Sequence, residues 1–192
     1  MRERVYRVFA YDARAAPTEP GGVLYIPRQG NGRVDNPQAY QARYASDSPA
    51  GACAEVFNYG TYREIWSAAM LRGVPGLPNS RRALAWYDLR EDARPVCDLD
   101  DPRELAAQRL RPSRVITRDY HVSQAWALCL FEAEQWSGVR WWSYHNARWS
   151  SMALWDGAII AAHGIEELTL EHPALQEAAE VLRIRFKSSR RP

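Results

Sequence analysis

The sequence predicts an α+β fold in a single domain. Its 192 residues are enough for one domain with a substantial hydrophobic core. Segments with strand-like alternation and segments with helical periodicity both occur, but without the regular βαβ order of a parallel sheet. The clearest strand signal is at 4–11 and the clearest helix signal is at 119–135.

The composition excludes several classes of function. The chain is 46% hydrophobic and 25% charged, and its net charge of +2 is too small to indicate nucleic-acid binding. It has no apolar run long enough for a signal peptide or a membrane span, so we expect a cytoplasmic protein without membrane or nucleic-acid partners. Cys53, Cys97 and Cys129 form no CxxC motif, which indicates unpaired thiols in a reducing compartment.

The first half of the chain alternates short elements with loops rich in Gly and Pro. Ser48 is a favourable N-cap and Pro49 suits the first helical position, so a short helix of small residues should end at Phe57. The other predictions are a strand at 4–11, a short strand at 23–26, extended chain at 40–45, a helix at 62–71 and a strand at 82–89.

The second half contains the longer helices. Asp101 and Pro102 open a short helix that ends near Arg109, and 113–118 fits neither pattern. Helical spacing in 119–135 predicts a buried face of Val122, Ala125, Trp126, Cys129, Leu130 and Ala133. We further predict strands at 96–99, 139–144, 151–155 and 165–170, a helix at 173–182 and a basic tail.

Three polar residues, Arg33, Tyr44 and Glu55, follow one another at intervals of eleven residues. Glu55 shares a helical face with Ala52 and Val56, and a carboxylate on such a face needs a partner or a function. Each residue also has an ordinary alternative: a surface arginine, a half-buried tyrosine and a glutamate in a structural ion pair.

A tryptophan-rich segment surrounds Ser143. Trp141, Trp142, Trp149 and Trp155 fit a hydrophobic core or, alternatively, the walls of a pocket with Ser143 at its lip. The four histidines form no zinc-binding pattern. The GxSxG, GxGxxG and P-loop motifs are absent, which argues against the common hydrolase and nucleotide-binding signatures.

Several motifs occur in a fixed order: YRVF, GRVDNP, YAS, SQAWAL and GVRWWSYHNARWSSMALW. Together they span about residues 5–157 and resemble the RES domain family, the toxin component of RES–Xre toxin–antitoxin systems. The resemblance matches the family's arginine, tyrosine, glutamate and serine to Arg33, Tyr44, Glu55 and Ser143.

The chain departs from the family pattern at two places. The asparagine of GRVDNP stands one position later after the arginine than in the usual GRWNSP or GRFNPP, and Val34 replaces the aromatic residue after the arginine. Trp142 stands before Ser143, where a smaller residue or proline is expected. The first departure predicts an altered loop around Arg33, and the second a reshaped pocket.

The resemblance implies an ADP-ribosyltransferase-like fold, a split and twisted β-sheet with surrounding helices. Its core would occupy about residues 5–157, and a strand, a helix and the basic tail would complete the domain over 158–192. It implies a toxin that cleaves the nicotinamide–ribose bond of NAD by phosphorolysis or hydrolysis, with no prosthetic group or metal. In the phosphorolysis alternative, phosphate would serve as co-substrate. Protein ADP-ribosylation and a catalytically silent binding module remain alternatives.

The resemblance also implies roles and a partner. Glu55 would stabilise the cationic ribose carbon, and Arg33 would bind the pyrophosphate or the nicotinamide ribose. Tyr44 would stack on nicotinamide or bind a ribose hydroxyl, while Ser143 would hydrogen-bond NAD and help position Glu55. An Xre-like antitoxin protein would inhibit the enzyme. The acceptor, homo-oligomerisation and the antitoxin-binding surface stay open.

Overall fold

The computed structural model describes residues 3–58 and 64–187. Within these ranges nine strands and five α-helices occur in mixed order, which confirms the predicted α+β class. The strands are β1 (Arg4–Tyr11), β2 (Arg43–Ser46), β3 (Ile65–Trp66), β4 (Arg81–Leu89), β5 (Val96–Asp98), β6 (Gly138–Trp142), β7 (Ser150–Leu154), β8 (Ile160–Glu167) and β9 (Arg185–Phe186). The helices are α1 (Pro49–Phe57), α2 (Pro102–Ala107), α3 (Pro112–Val115), α4 (Tyr120–Glu132) and α5 (Pro173–Leu182).

Seven of the strands form one mixed sheet in the order β5–β6–β7–β2–β1–β4–β8. Strands β5 and β6 are parallel, and the other neighbouring pairs are antiparallel. Strands β3 and β9 form a separate parallel pair. Because β2 lies between β7 and β1, the chain enters α1 from a strand that is held on both edges.

Apolar side chains fill the space between the sheet and the helices. One cluster packs α1 and α5 against β1 and β4, where Cys53, Leu84 and Leu175 are almost completely buried. A second cluster packs α4 against β6 and the loop that contains Val34. A third cluster includes other residues of β1 and β4. Helix α1, which carries Glu55, and the loop that contains Arg33 and Val34 are therefore anchored in different parts of the core.

Helix α1 begins and ends as the sequence signals predicted. The Ser48 hydroxyl accepts a hydrogen bond from the Gly51 N–H at 3.2 Å, and Pro49 occupies the first helical position. A Cβ atom at Gly51 would lie 2.4 Å from Ser46 Oγ, so glycine permits direct packing on the end of β2. This close contact fixes the position of Glu55 relative to β2.

Helix α4 forms where it was predicted, but its buried face is rotated from the predicted one. The prediction is correct for Trp126 and Leu130, which are buried. It is wrong for Ala125, Cys129 and Ala133, which are exposed. Ser123 is buried instead, because its hydroxyl donates a hydrogen bond to the Arg33 carbonyl at 2.6 Å. A polar side chain therefore occupies part of the core-facing side.

The predicted strand at 23–26 is wrong, because residues 23 and 24 form a turn and residues 25 and 26 are irregular. The Val23 carbonyl accepts a hydrogen bond from Tyr87 Oη at 2.7 Å, and the Tyr25 carbonyl accepts one from Arg7 at 2.9 Å. Side chains of the sheet thus satisfy backbone groups that a neighbouring strand would otherwise pair.

The predicted helix at 62–71 is also wrong over its described part. Strand β3 and a 3₁₀ turn at Ala68–Leu71 occupy 65–71, while residues 62 and 63 lie outside the described ranges. Trp66 is fully buried, and its carbonyl accepts a hydrogen bond from the Lys187 N–H at 2.7 Å. Burial and pairing with β9 therefore override the local helical preference.

The C-terminal part follows the prediction with one shift. Helix α5 has the predicted bounds, but β8 begins at Ile160 rather than at Ile165. The predicted basic tail lies mostly at 188–192, outside the described residues. Within the described ranges, no helix combines the length and apolar character that crossing a membrane requires.

Candidate active site

A pocket of about 350 Å³ opens beside the middle strands of the seven-stranded sheet. Strands β1, β2, β6 and β7, helix α1, the loop before β2, the loop after β6 and the chain leading into α4 form its walls. Three of the four predicted site residues line it: Arg33, Tyr44 and Glu55. Two exposed aromatic side chains also line it, Tyr120 at 40% and Tyr144 at 71% relative exposure. The structure thus brings two arginines, one carboxylate and several aromatic rings into one cavity.

The Glu55 carboxylate is held by two serine hydroxyls. Its Oε1 atom accepts hydrogen bonds from Ser143 Oγ at 2.9 Å and from Ser151 Oγ at 2.8 Å. Ser143 directly follows β6, and Ser151 lies in the adjacent strand β7. The two serines therefore orient the carboxylate. The Glu55 side chain is 40% exposed, so the carboxylate is also accessible from the pocket.

The surroundings of Glu55 favour its ionised form. Burial acts to raise the pKa of this carboxyl, but His145 and the hydroxyls of Ser151 and Ser143 outweigh burial and hold the pKa below its ordinary value. His145 Nε2 lies 3.7 Å from Glu55 Oε2. A carboxylate that remains charged near neutral pH is available to stabilise a developing positive charge.

Ser143 lies behind Glu55 and is not at the pocket lip. It is 4% exposed, and it accepts a hydrogen bond from the His145 N–H at 3.2 Å in addition to its donation to Glu55. Of the nearby tryptophans, Trp141 lines the pocket and Trp149 belongs to the hydrophobic core. The geometry therefore favours a positioning role for Ser143 over direct contact with a ligand.

Arg33 both lines the pocket and holds one of its walls in place. Its Nη1 atom donates to the backbone carbonyls of Val115 at 2.8 Å and Thr117 at 2.7 Å. The guanidinium carbon lies 5.3 Å from the centre of the Tyr120 ring, within cation–π range. Among the described residues Nη2 has no hydrogen-bond partner, so one edge of the fork remains available to an anion.

Asp35 organises the loop that presents Arg33. It is 5% exposed, and its Oδ2 atom accepts hydrogen bonds from the Gly30 N–H at 2.8 Å and the Gly32 N–H at 2.7 Å. Its Oδ1 atom accepts one from Tyr44 Oη at 2.7 Å. Asp35 belongs to the GRVDNP motif, which departs from the family pattern. Its hydrogen bonds hold the loop that contains this motif in a closed conformation.

Tyr44 is fixed by hydrogen bonds at its hydroxyl. The hydroxyl donates to Asp35 and accepts from the Val34 N–H at 3.1 Å. Burial, followed by the proximity of the Asp35 carboxylate, raises the pKa of Tyr44 strongly, so the phenol stays neutral. Its ring meets Trp141 edge to face at 6.5 Å. A Cβ at Gly32 would lie 2.4 Å from Tyr44 Oη, so this close approach requires glycine.

Four site residues were not predicted from the sequence. Arg7 on β1 lines the pocket and donates to the Tyr25 carbonyl, and Ser151, Asp35 and His145 organise the carboxylate and the loop. A hairpin pairing of β6 with β7 would have indicated Ser151, because it lies opposite Trp141 in the observed register. Asp35 and His145 depend on loops whose conformation no local pattern encodes, and Arg7 depends on the place of β1 beside β2 in the sheet.

No group of three His, Cys, Asp or Glu side chains in the described part of the chain could hold a metal ion. Cys53 and Cys97 are buried, Cys129 is exposed, and all three are unpaired. Fold and site together define an α+β protein whose pocket centres on an ionised carboxylate flanked by arginine and aromatic side chains.

Comparison with known proteins gives the family. The RES domain profile matches residues 4–176, so the chain belongs to the RES domain family, as its motifs predicted. The crystal structure of the M. tuberculosis MbcT–MbcA toxin–antitoxin complex contains a similar fold, with a TM-score of 0.56 and 17% sequence identity. That match covers 95% of this chain and 90% of the other chain. No curated protein matches the sequence.

Proposed function

We propose that the protein cleaves the nicotinamide–ribose bond of NAD. The observation that carries this proposal is the Glu55 carboxylate, which is kept ionised, is oriented by two serine hydroxyls and is accessible from the pocket. Departure of nicotinamide leaves an oxocarbenium-like ribose carbon. A preorganised carboxylate stabilises that charge without having to reorganise during the reaction.

In the proposed reaction the ribose–nitrogen bond breaks and its electron pair leaves with neutral nicotinamide. A phosphate oxygen then forms a bond to the ribose carbon and gives ADP-ribose 1″-phosphate; with water as acceptor, the products are ADP-ribose and a proton. Both versions need Glu55 in the same place. The acceptor decides whether the protein acts as a phosphorylase or a glycohydrolase.

Two arginines support a dinucleotide as substrate. Arg33 and Arg7 both line the pocket, and Nη2 of Arg33 is available to a phosphate oxygen. Tyr44 would contribute its ring face or edge rather than its hydroxyl, because that hydroxyl already donates to Asp35 and accepts from Val34. This favours contact with the nicotinamide ring over a hydrogen bond to ribose.

We also propose that the protein is the toxin of a toxin–antitoxin pair. RES family membership and the fold shared with a chain of the MbcT–MbcA toxin–antitoxin complex support this role. An enzyme that consumes NAD would harm its own cell, so an inhibitory partner is expected, and an Xre-like antitoxin is our proposal. Growth arrest on expression of wild type but not of Glu55→Ala would support the role; arrest by both would oppose it.

The direct test follows NAD by ¹H NMR with purified protein, in phosphate buffer and in phosphate-free buffer. We expect nicotinamide release with wild type and none with Glu55→Ala. A phosphorylated ADP-ribose that forms only with phosphate identifies phosphorolysis, and free ADP-ribose in both buffers identifies hydrolysis. ADP-ribose attached to protein would instead indicate the transferase alternative. Absence of nicotinamide release in every condition would contradict the proposal.

A further inference from the structure

His145 connects Glu55 to the end of helix α1. It follows β6 by a few residues, and its side chain is only 12% exposed. Its Nδ1 atom lies 3.2 Å from Asn58 Nδ2, and its Nε2 atom lies 3.7 Å from Glu55 Oε2. Asn58 is the C-cap residue of α1, so these contacts join the helix that carries Glu55 to the loop between β6 and β7.

The contact with Asn58 determines which imidazole nitrogen carries the hydrogen. An amide nitrogen can only donate, so Nδ1 of His145 must accept from Asn58 Nδ2. In that arrangement the ring hydrogen is on Nε2, which faces Glu55 Oε2.

The arrangement distinguishes the two oxygens of Glu55. Oε1 already accepts two hydroxyl hydrogen bonds, one for each of its lone pairs. Among the described residues, Oε2 faces the Nε2–H group of His145, at a distance longer than a formed hydrogen bond. Contacts of this kind often shorten when substrate binds. One lone pair of Oε2 then remains for the substrate.

We propose that His145, in the Nε2–H tautomer selected by Asn58, is a positioning residue that makes Oε2 the substrate-facing oxygen of Glu55. The catalytic part of this inference depends on the proposed NAD cleavage, whereas the tautomer does not. In the part of the chain that the structure describes, the titratable groups in contact with His145 are Glu55 from α1 and Tyr144 from its own loop, whose ring centre is 5.8 Å away.

The tautomer is tested without substrate. Long-range ¹H–¹⁵N NMR of the histidine-labelled protein at neutral pH should show His145 with a protonated Nε2 and an unprotonated Nδ1, assigned by comparison with a His145→Gln sample. In Asn58→Ala the Nδ1–H form should become detectable. A wild-type Nδ1–H tautomer or a doubly protonated ring would overturn the inference, whatever the result of the NAD assay.

The positioning role is tested by steady-state kinetics with NAD. His145→Leu removes the donor and should lower kcat about tenfold or more while changing KM little, as for residues that orient a catalytic group. His145→Gln places an amide N–H near the Nε2 position and should recover most of the lost kcat. His163→Leu, the same change at an exposed position of β8, should match wild type. Equal kcat for His145→Leu and wild type would overturn the inference, and so would equal losses in the Leu and Gln variants.

Discussion

Asp35→Asn tests how the loop that presents Arg33 is built. The carboxylate accepts two backbone hydrogen bonds at Oδ2, from Gly30 and Gly32, and one from Tyr44 at Oδ1. Asparagine has nearly the same shape but replaces one oxygen with an amide donor. Whichever way that amide turns, a donor faces another donor in a site that is 5% exposed.

The expected loss of stability follows from these contacts. A hydrogen bond to a charged acceptor contributes about 1.5–3 kcal/mol, and an unsatisfied buried donor costs a similar amount, so we expect the free energy of unfolding to fall by about 2 kcal/mol. For a chain of this size that corresponds to a decrease in Tm of roughly 4–8 °C. Because the loop also places Arg33, KM for NAD should increase in the same variant.

Urea denaturation followed by tryptophan fluorescence measures the change in unfolding free energy. Asp119→Asn is the matched control, because Asp119 is an exposed N-cap of α4 and asparagine caps helices equally well. The control should change the unfolding free energy by less than about 0.5 kcal/mol. If Asp35→Asn is no more destabilising than this control, the loop is not organised as described.

Three further predictions concern the pocket. Ser151→Ala removes a hydrogen bond to the Glu55 carboxylate and therefore raises the pKa of Glu55. Because activity requires ionised Glu55 and is lost as the pH falls through that pKa, the acid limb of the kcat–pH profile should move to higher pH. An unchanged acid limb would contradict the role of Ser151. Arg33→Lys loses the planar fork of the guanidinium group, so KM for NAD should rise about tenfold, an effect of about 1.4 kcal/mol, while kcat changes less. A larger change in kcat than in KM would exchange the roles of Arg33 and Glu55. Tyr44→Phe removes one donor from Asp35 and one acceptor from Val34, so urea denaturation should show a loss of about 1–2 kcal/mol, and a neutral result would mean that the loop compensates.

Local signals predicted the parts of the site that lie within short segments. Helix α1 was predicted because Ser48 and Pro49 define its start, and its spacing correctly placed Glu55, Ala52 and Val56 on the side that lines the pocket. The family resemblance supplied Arg33, Tyr44 and Ser143. Their assembly around one cavity was not visible in any single pattern.

Long-range contacts explain what the sequence could not predict. The carbonyls that bind Arg33 belong to Val115 and Thr117, which lie 82 and 84 positions further along the chain. Ser123 turns toward the core because it meets the Arg33 carbonyl, and a periodicity that counts only apolar residues therefore misplaced the face of α4. Trp66 lies in strand β3 because that segment pairs with β9, which is distant in the sequence.

Substitution of Glu55 by Gln tests the central claim most directly, with kcat measured by nicotinamide release and Kd for NAD measured by calorimetry. Glutamine preserves the size of the side chain and removes its charge. If Glu55 stabilises the cationic ribose carbon, kcat should fall about 100-fold or more, as when other preorganised electrostatic groups are removed, while Kd changes by less than about threefold. Glu132→Gln, the same change at an exposed position near the end of α4, should leave both values unchanged. A Glu55→Gln variant that keeps its kcat, or that loses NAD binding in proportion to rate, would contradict the account.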